Sequence, residues 1–481
     1  MTTRRELLKL GLLTGAGLLI GGKMPAHAQD AQTETYPSKR PAPGNRRFTS
    51  EAVEETIRTM QGRIADPKLA WLFSNCYPNT LDTTVHYQEI GGKPDTFVIT
   101  GDIDAMWLRD SSAQVWPYLP LAKQDPKLQS LLHGVLNRQV QCIELDPYAN
   151  AFNADPDTGS QWDSDYTLMK PGIHERKWEI DSLCYPIRLG YGYWKETGDT
   201  SPFDARWESA MGLILQTFHE QQRLDGPGPY TFQRGGRPPA PGSEKIYGSP
   251  IKPNGLICSR FRPSDDATKY QFLIPSNFFA VVSLNHLAEM LSTIRHNSKM
   301  ATQATEMAQV VRAALAQHAV ITDPMLGKMY AYEVDGLGNS LIMDDANVPN
   351  LVSLPYLGAV PDSDPIYKTT RRMAGSIANP WYFEGKFDGG GSPHTGQDTI
   401  WPIAVTMFGL TSHDEAEVAH CLRTLKDTDA GTGFMHESFN KDDPAHFSRP
   451  WFAWANTLFG EFVLHTNQHY PQLLQAGPGL V

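Results

Sequence analysis

Apolar residues recur at helical spacing along most of this chain. Val53, Ile57, Met60 and Ile64 fall on one face of a helix predicted over 53–65. Ile180, Leu183, Cys184, Ile187, Tyr191 and Trp194 form a second apolar face between 178 and 197, and Gly198 follows as a stop signal. The same periodicity predicts helices at 109–121, 126–144, 202–222, 276–293, 299–319, 364–376, 396–410, 412–427 and 452–466. Strand-like alternation is scarce. Val85 to Ile90, followed by Gly91-Gly92 and then Thr96 to Thr100, predicts a hairpin, and Lys328 to Val334 a further short strand. The expectation is an all-α-dominated single domain over residues 49–475 with a few short β-hairpins. Six helix pairs closed into a toroid, an (α/α)6 barrel, fit the number of helices, and so do other large helical folds. No repeat of fixed period argues for a solenoid. The connecting loops Asp225–Gly255 and Gly385–Gln397 are long and rich in Pro, Gly and Asp, as loops that carry function often are.

The first 28 residues read differently. Arg4 and Arg5 precede a moderately apolar, Gly-rich stretch, and Ala26-His27-Ala28 has the small-x-small pattern of a cleavage site. The pattern is that of a signal peptide, with an arginine pair of the twin-arginine type. An exported, periplasmic protein is expected. Residues 29–48 are polar and Pro-bearing and read as a flexible lead-in.

Composition narrows the function. The chain has 481 residues, of which 40 % are hydrophobic, enough for a large core. Its 42 basic and 53 acidic residues give a formal charge of −11, which argues against a nucleic-acid partner. After the first thirty residues no stretch is apolar enough to cross a bilayer, so no membrane insertion is expected beyond the signal. Cys76, Cys142, Cys184, Cys258 and Cys421 are odd in number, scattered and set among apolar neighbours, as small buried hydrophobes are. Gly-x-Ser-x-Gly, His-Glu-x-x-His and Gly-x-x-x-x-Gly-Lys-Ser/Thr motifs are absent. No metal or cofactor is expected.

What remains is a set of carboxylates beside aromatics, Arg and Pro. One is Trp107-Leu108-Arg109-Asp110-Ser111-Ser112, where Asp110 or Ser111 would serve equally as a helix cap. A second is Glu175-Arg176-Lys177-Trp178-Glu179-Ile180-Asp181, whose charges also suit a helix dipole. A third, Arg260-Phe261-Arg262-Pro263-Ser264-Asp265-Asp266-Ala267, holds two adjacent acids where a cap explains only one. The fourth is His394-Thr395-Gly396-Gln397-Asp398. The fifth runs through Met435-His436-Glu437-Ser438 to Arg449-Pro450-Trp451. An acid flanked by bulky apolar groups, as Glu437 is, suits a tuned carboxyl. Paired carboxyls with aromatic platforms point to glycoside hydrolysis, in which one acid protonates the leaving oxygen and a second carboxylate activates water or attacks the anomeric carbon. A non-catalytic sugar-binding cleft uses the same residues.

The segments GDIDAMWLRDSSAQVWPY (101–118), ERKWEIDSLCYPIRLGY (175–191), FRPSDDATKYQFLIPSN (261–277), DDANVPNLVSLPYLG (344–358), SPHTGQDTIWPIA (392–404) and GFMHESFNKDDPAHFSRPWFAWAN (433–456) resemble glycoside hydrolase family 125, in that family's order. The resemblance implies an (α/α)6 barrel and a metal-independent, inverting exo-α-1,6-mannosidase acting on an oligosaccharide. It puts the general acid in the Arg-Pro-Ser-Asp-Asp segment, with Asp266 preferred over Asp265, and the general base at Glu437. The expected substrate-binding residues are Arg109, Asp110, Asp181, Arg262, His394, Gln397, Asp398, His436, Arg449 and Trp451. Another (α/α)6 glycosidase or a phosphorolytic enzyme is the alternative. Trp178 stands where the family pattern suggests Tyr, and the Pro-rich loop 225–255 is long for it.

Overall fold

A computed structural model of the chain describes residues 36–235 and 243–477, and the signal segment lies outside them. From Pro37 onward the chain forms one compact unit. Its helices begin where the sequence offers caps. Ser50 Oγ accepts the Val53 N–H to open the helix Glu51–Arg63, which buries Val53, Ile57 and Met60. Asp125 accepts from the Lys127 and Leu128 N–H groups ahead of Pro126–Leu145, with Pro126 in the first turn, where its missing donor costs nothing. Asp204 does the same for Ala205–Gln222. At the other end of Ile180–Thr197, Gly198 takes the left-handed conformation, φ 73°, and closes the helix.

Three helices are apolar nearly all round and lie deep: Ile274–Thr293, Pro402–Leu410 and Ala453–His469. They pack in a chain of neighbours. Leu108–Val115 packs on Ile180–Thr197, which packs on Ile274–Thr293, which packs on Ser298–His318. Pro402–Leu410 packs on Glu415–Asp427 and on Ala453–His469, and Ala453–His469 returns to Leu108–Val115. The five cysteines are free and buried, as their apolar surroundings predict.

Two predicted helices are cut by proline. The segment 109–121 is α-helical only over Leu108–Val115 and continues as a 3-10 turn, Trp116–Gln124, because Pro117 and Pro120 lack the N–H groups an α-helix needs. The helix predicted from 396 starts at Pro402, since the residue before a proline is held extended, here Trp401 at φ −102°, ψ 126°. The freed residues 396–401 become loop and a short strand.

Among the described residues the strands form six sheets of two or three strands each. Val85–Ile90 pairs with Lys93–Val98 around Gly91 and Gly92, both at positive φ as a tight hairpin requires. Two of the three-stranded sheets assemble the candidate site described below. No helix of the described residues is long and apolar enough to cross a membrane.

Close packing makes one glycine testable. A Cβ on Gly460 would stand 2.7 Å from Tyr77 Cδ2 and 3.0 Å from Tyr77 Cα. Gly460→Ala is expected to cost about 1–3 kcal/mol through overpacking, although alanine is the better helix former. A lower urea midpoint at unchanged slope is the expected reading; an unchanged or raised midpoint would contradict the contact.

Candidate active site

Short sheets gather the reactive segments. Met106–Trp107 pairs antiparallel with Ala151–Phe152, and that strand pairs with Ile173–Glu175. Trp107 and His174 thereby meet edge to face, 5.4 Å between ring centroids. Thr399–Ile400 pairs with Ser438–Asn440, which pairs with Phe447–Ser448, so the segments around His394, Glu437 and Arg449 become neighbours. Between these sheets lies a cavity of about 430 Å³. Arg109, Asp110, Lys177, Asp265, His394, Glu437 and Arg449 line it, with Trp107, Trp162, Trp401, Phe452 and Trp454 as aromatic walls.

The two adjacent aspartates part company at a strained turn. The Asp265 N–H donates to the Arg262 carbonyl at 2.9 Å, and the Arg262 N–H to the Asp266 carbonyl at 2.8 Å. Asp265 itself sits at φ 65°, a conformation that non-glycine residues adopt sparingly. The loop is pinned from outside. Arg262 Nε donates to Glu333 at 2.6 Å, and Ser264 Oγ donates to Asp345 at 3.0 Å. Asp265 faces the cavity, where Asn150 Nδ2 donates to its Oδ1 at 3.1 Å. Asp266 lies 3.2 Å from His394 Nδ1 and is not among the lining residues.

Arg109 opens a buried helix and collects acids. Its Nη1 donates to Glu179 at 2.6 Å and to Asp181 at 3.4 Å; its Nη2 reaches Asp265 at 3.5 Å, and its Nε lies 3.3 Å from Asp110. Four carboxyls around one guanidinium leave a surplus of negative charge. Burial therefore pushes Glu179 well above the ordinary glutamate range and Asp181 up to about 6, against the pull of Arg109. Burial would raise Asp265 too, but Lys177, Arg109 and a hydrogen bond with Glu179 outweigh it and hold Asp265 low. Trp107 Nε1 and Asp110 Oδ2 are buried and make no hydrogen bond within the protein. Such groups cost about 1–3 kcal/mol each when left unmade, so this end of the cavity suits a ligand rich in hydroxyls.

Glu437 is held differently. Ser448 Oγ donates to its Oε2 at 2.8 Å, and Arg449 Nη1 reaches its Oε1 at 3.5 Å. Arg449 turns most of its fork to Asp102, with Nε at 2.8 Å and Nη2 at 2.6 Å. His394 completes the constellation. Its hydrogen bond to Asp266, aided by the charges of Asp265 and Glu437, outweighs its burial and raises it to about 9, so it is an imidazolium at neutral pH.

Residues 66–464 match the family described as metal-independent alpha-mannosidase (GH125). The chain belongs to this family. It is 42 % identical over 462 residues to the Meiotically up-regulated gene 157 protein of Schizosaccharomyces pombe, covering 91 % of this chain and 90 % of that protein. Among solved structures it is similar to a Streptococcus pneumoniae protein described with a family of metal-independent alpha mannosidases, in a non-productive complex with alpha-1,6-mannobiose. The TM-score is 0.82 and the identity 42 %, over 87 % of this chain and 99 % of that one.

As a member of GH125, the chain is a glycoside hydrolase, an α-mannosidase. Its predicted site residues fall into three groups. Asp265, Glu437, Arg109, Asp110, His394 and Arg449 line the cavity. Asp181, Arg262 and His436 stand behind it: Asp181 against Arg109, Arg262 on Glu333, and His436 stacked on Phe447 at 3.7 Å between ring centroids. Trp451 is likewise outside the lining and donates from Nε1 to Asn79 at 3.3 Å. Gln397 and Asp398 are exposed and outside the lining; Asp398 sits 3.8 Å from Lys441. Of the two expected acids, Asp265 lines the cavity, and Asp266 stands outside the lining against His394. Sequence reasoning passed over Lys177 and Glu179, although both lie in the acidic segment it singled out. It also passed over Asn150, Trp162, His174 and Arg234. Arg234 stacks over Trp162 at 4.0 Å and pairs with Asp165 and Glu175, each at 2.7 Å. Nothing in the local sequence marks these residues, whose roles come from cross-strand and loop neighbours.

His394 offers a direct test of the electrostatics. In the parent its ring is expected to titrate near pH 9, followed by NMR of labelled histidine. Removing the partner charge with Asp266→Asn should weaken proton binding by at least about tenfold. An unshifted midpoint would show that Asp266 is not what holds the proton there.

Proposed function

We propose that this protein is an exo-acting α-1,6-mannosidase that releases a non-reducing terminal mannose with inversion at the anomeric carbon. One observation carries the reading: Asp265 and Glu437, remote in sequence, line the same cavity in unlike surroundings. Asp265 acts as general acid toward the glycosidic oxygen. Glu437, accepting from Ser448 and Arg449, takes a proton from the water that attacks the opposite ring face. An inverting site of this kind keeps its carboxyls about 6.5–9.5 Å apart so that the water fits.

Linkage and direction of attack draw on separate support. The pneumococcal relative is described with alpha-1,6-mannobiose, which favours that linkage here. A cavity of about 430 Å³ with aromatic walls suits the end of a glycan better than the middle of one. Trp107, Trp162, Trp401 and Trp454 give the cavity an apolar border suited to a sugar ring, and Arg109 with Asp110 offers charged hydrogen bonds to hydroxyl pairs. The run of helix contacts, with inner helices passing from Leu108–Val115 through Ile180–Thr197 to Ile274–Thr293 and returning by Ala453–His469, is what an (α/α)6 barrel would give. The N-terminal arginine pair and the Ala26-His27-Ala28 pattern favour export to the periplasm.

The test uses α-1,6-linked mannobiose and proton NMR. The parent should release mannose, with the β-anomer appearing first and then mutarotating. Release of the α-anomer first would point to retention, phosphate-dependent turnover to a phosphorolytic enzyme, and no release to a binding protein. Glu437→Ala should lose about 10²–10⁴-fold or more in kcat, the range of a general base, while still binding mannose by calorimetry. Near-parental turnover would remove Glu437 from the base role.

A further inference from the structure

As a lone residue Asp265 is a poor acid. Lys177 and Arg109 face it and favour its ionised form. Yet a second carboxyl stands against it in a way that needs explaining. Glu179 is fully buried at the entrance to the helix Ile180–Thr197. Asn150 Nδ2 donates to both acids, at 3.4 Å to Glu179 and 3.1 Å to Asp265. Arg109 also bridges them, through Nη1 at 2.6 Å and Nη2 at 3.5 Å. The two carboxyls therefore crowd around the same two donors, and a proton held on the pair relieves the repulsion of two buried negative charges there.

We propose that the general acid is the Glu179–Asp265 pair: Asp265 is the catalytic residue that delivers the proton, and Glu179 is the positioning residue that keeps that proton on the pair. This rests on the mannosidase reading above and deepens it. Among the surrounding charges, Arg109, Lys177 and the His394 imidazolium oppose protonation, while Asp110 and Asp181 favour it. His174 and the Tyr230 phenol lie within electrostatic range of the pair. Burial of Glu179 decides the balance by making a second negative charge there costly.

In the reaction the shared proton shifts to the Asp265 oxygen facing the substrate and passes to the glycosidic oxygen as the bond to the anomeric carbon breaks. Water forms the new bond to that carbon and gives its proton to Glu437. The pair is left as two carboxylates against Arg109 and Lys177. Solvent returns one proton to it, and Glu437 discharges the one it took.

The pair titrates as a unit, so the basic limb of kcat/KM against pH reports the loss of its last proton. Glu179→Gln keeps the shape but removes the competing charge, leaving Asp265 with its cations; the basic limb should move to lower pH. On α-1,6-mannobiose kcat/KM at neutral pH should fall about 10²–10⁴-fold, mainly in kcat, as expected for loss of acid catalysis. On 2,4-dinitrophenyl α-mannoside, whose leaving group needs no proton, the variant should stay close to the parent, and its affinity for mannose should be unchanged. A parental pH profile, or equal losses on both substrates, would overturn the pairing. A second measurement does not depend on that variant folding. The infrared pH difference of the parent should show a protonated-carboxyl band giving way to a carboxylate band at the midpoint of the basic limb, and that midpoint should move in Asp265→Asn, which takes one acid out of the pair. A midpoint that Asp265→Asn leaves in place would overturn the proposal. If the parent releases no mannose, the mannosidase reading fails, and the infrared difference still reports on the pair.

Discussion

The site is organised by one buried guanidinium facing more acid than it can neutralise. Arg109 contacts Asp110, Glu179, Asp181 and Asp265. Burying charge is costly unless it is paired and hydrogen-bonded, and a planar fork with five donors can serve several carboxyls at once, where an ammonium acts as a point charge. The geometry follows from helix ends. Asp110 and Asp181 lie in the first turns of Leu108–Val115 and Ile180–Thr197, where exposed N–H groups favour negative charge. Those helices pack on each other, so their acidic first turns converge, and Arg109 is the cation that makes the convergence tolerable. The surplus of negative charge that survives is what lets a carboxyl here keep a proton in a protein that is acidic overall.

Across the cavity the balance is opposite. Glu437 has no crowd of acids around it; it accepts from Ser448 and lies within reach of Arg449. Arg449 is tied to Asp102, which limits how strongly it can clamp Glu437. The two acids stand in unlike surroundings, one among the carboxyls gathered by Arg109 and the other beside Ser448 and Arg449, and the reading of function stands on that difference rather than on the presence of acids alone.

Much of this was legible in the sequence, and the gaps have physical causes. Caps and periodicity located the helices Glu51–Arg63, Pro126–Leu145 and Ile180–Thr197, since each carries its own start or stop chemistry. Periodicity failed at 109–121 and 396–410 because apolar spacing says nothing about a missing N–H, and the prolines that decide those boundaries were outvoted by their neighbours. At the site, the segments bearing Arg109, Asp265, Glu437 and Arg449 stood out by their residue types. What sequence could not supply was side-chain direction. Asp181, Arg262 and His436 are in the right segments and stand outside the cavity lining, whereas Glu179, two residues before Asp181, shares Asn150 and Arg109 with Asp265. Asn150 is an ordinary loop asparagine until the strand Ala151–Phe152 pairs with Met106–Trp107 and sets it between two carboxyls.

The backbone bears a cost for this arrangement at two points. Asp265 and Arg449 both occupy the left-handed region, φ 65° and 45°, where a side chain costs of order 1–3 kcal/mol. For Arg449 the conformation is the less comfortable because Pro450 follows and crowds the residue before it. Each is held by polar contacts outside its own turn: Arg262 on Glu333 and Ser264 on Asp345 brace the first, and Asp102 on Arg449 the second. Strain of this kind persists only where surrounding bonds over-determine the conformation. Here it falls on the loop that carries one reactive acid and on the arginine that touches the other, so the same distortions that cost stability set the directions of the two carboxyls. A relaxed turn at Asp265 would swing that side chain away from Asn150 and Arg109, and the cavity would lose the acid that its charge balance is built to keep.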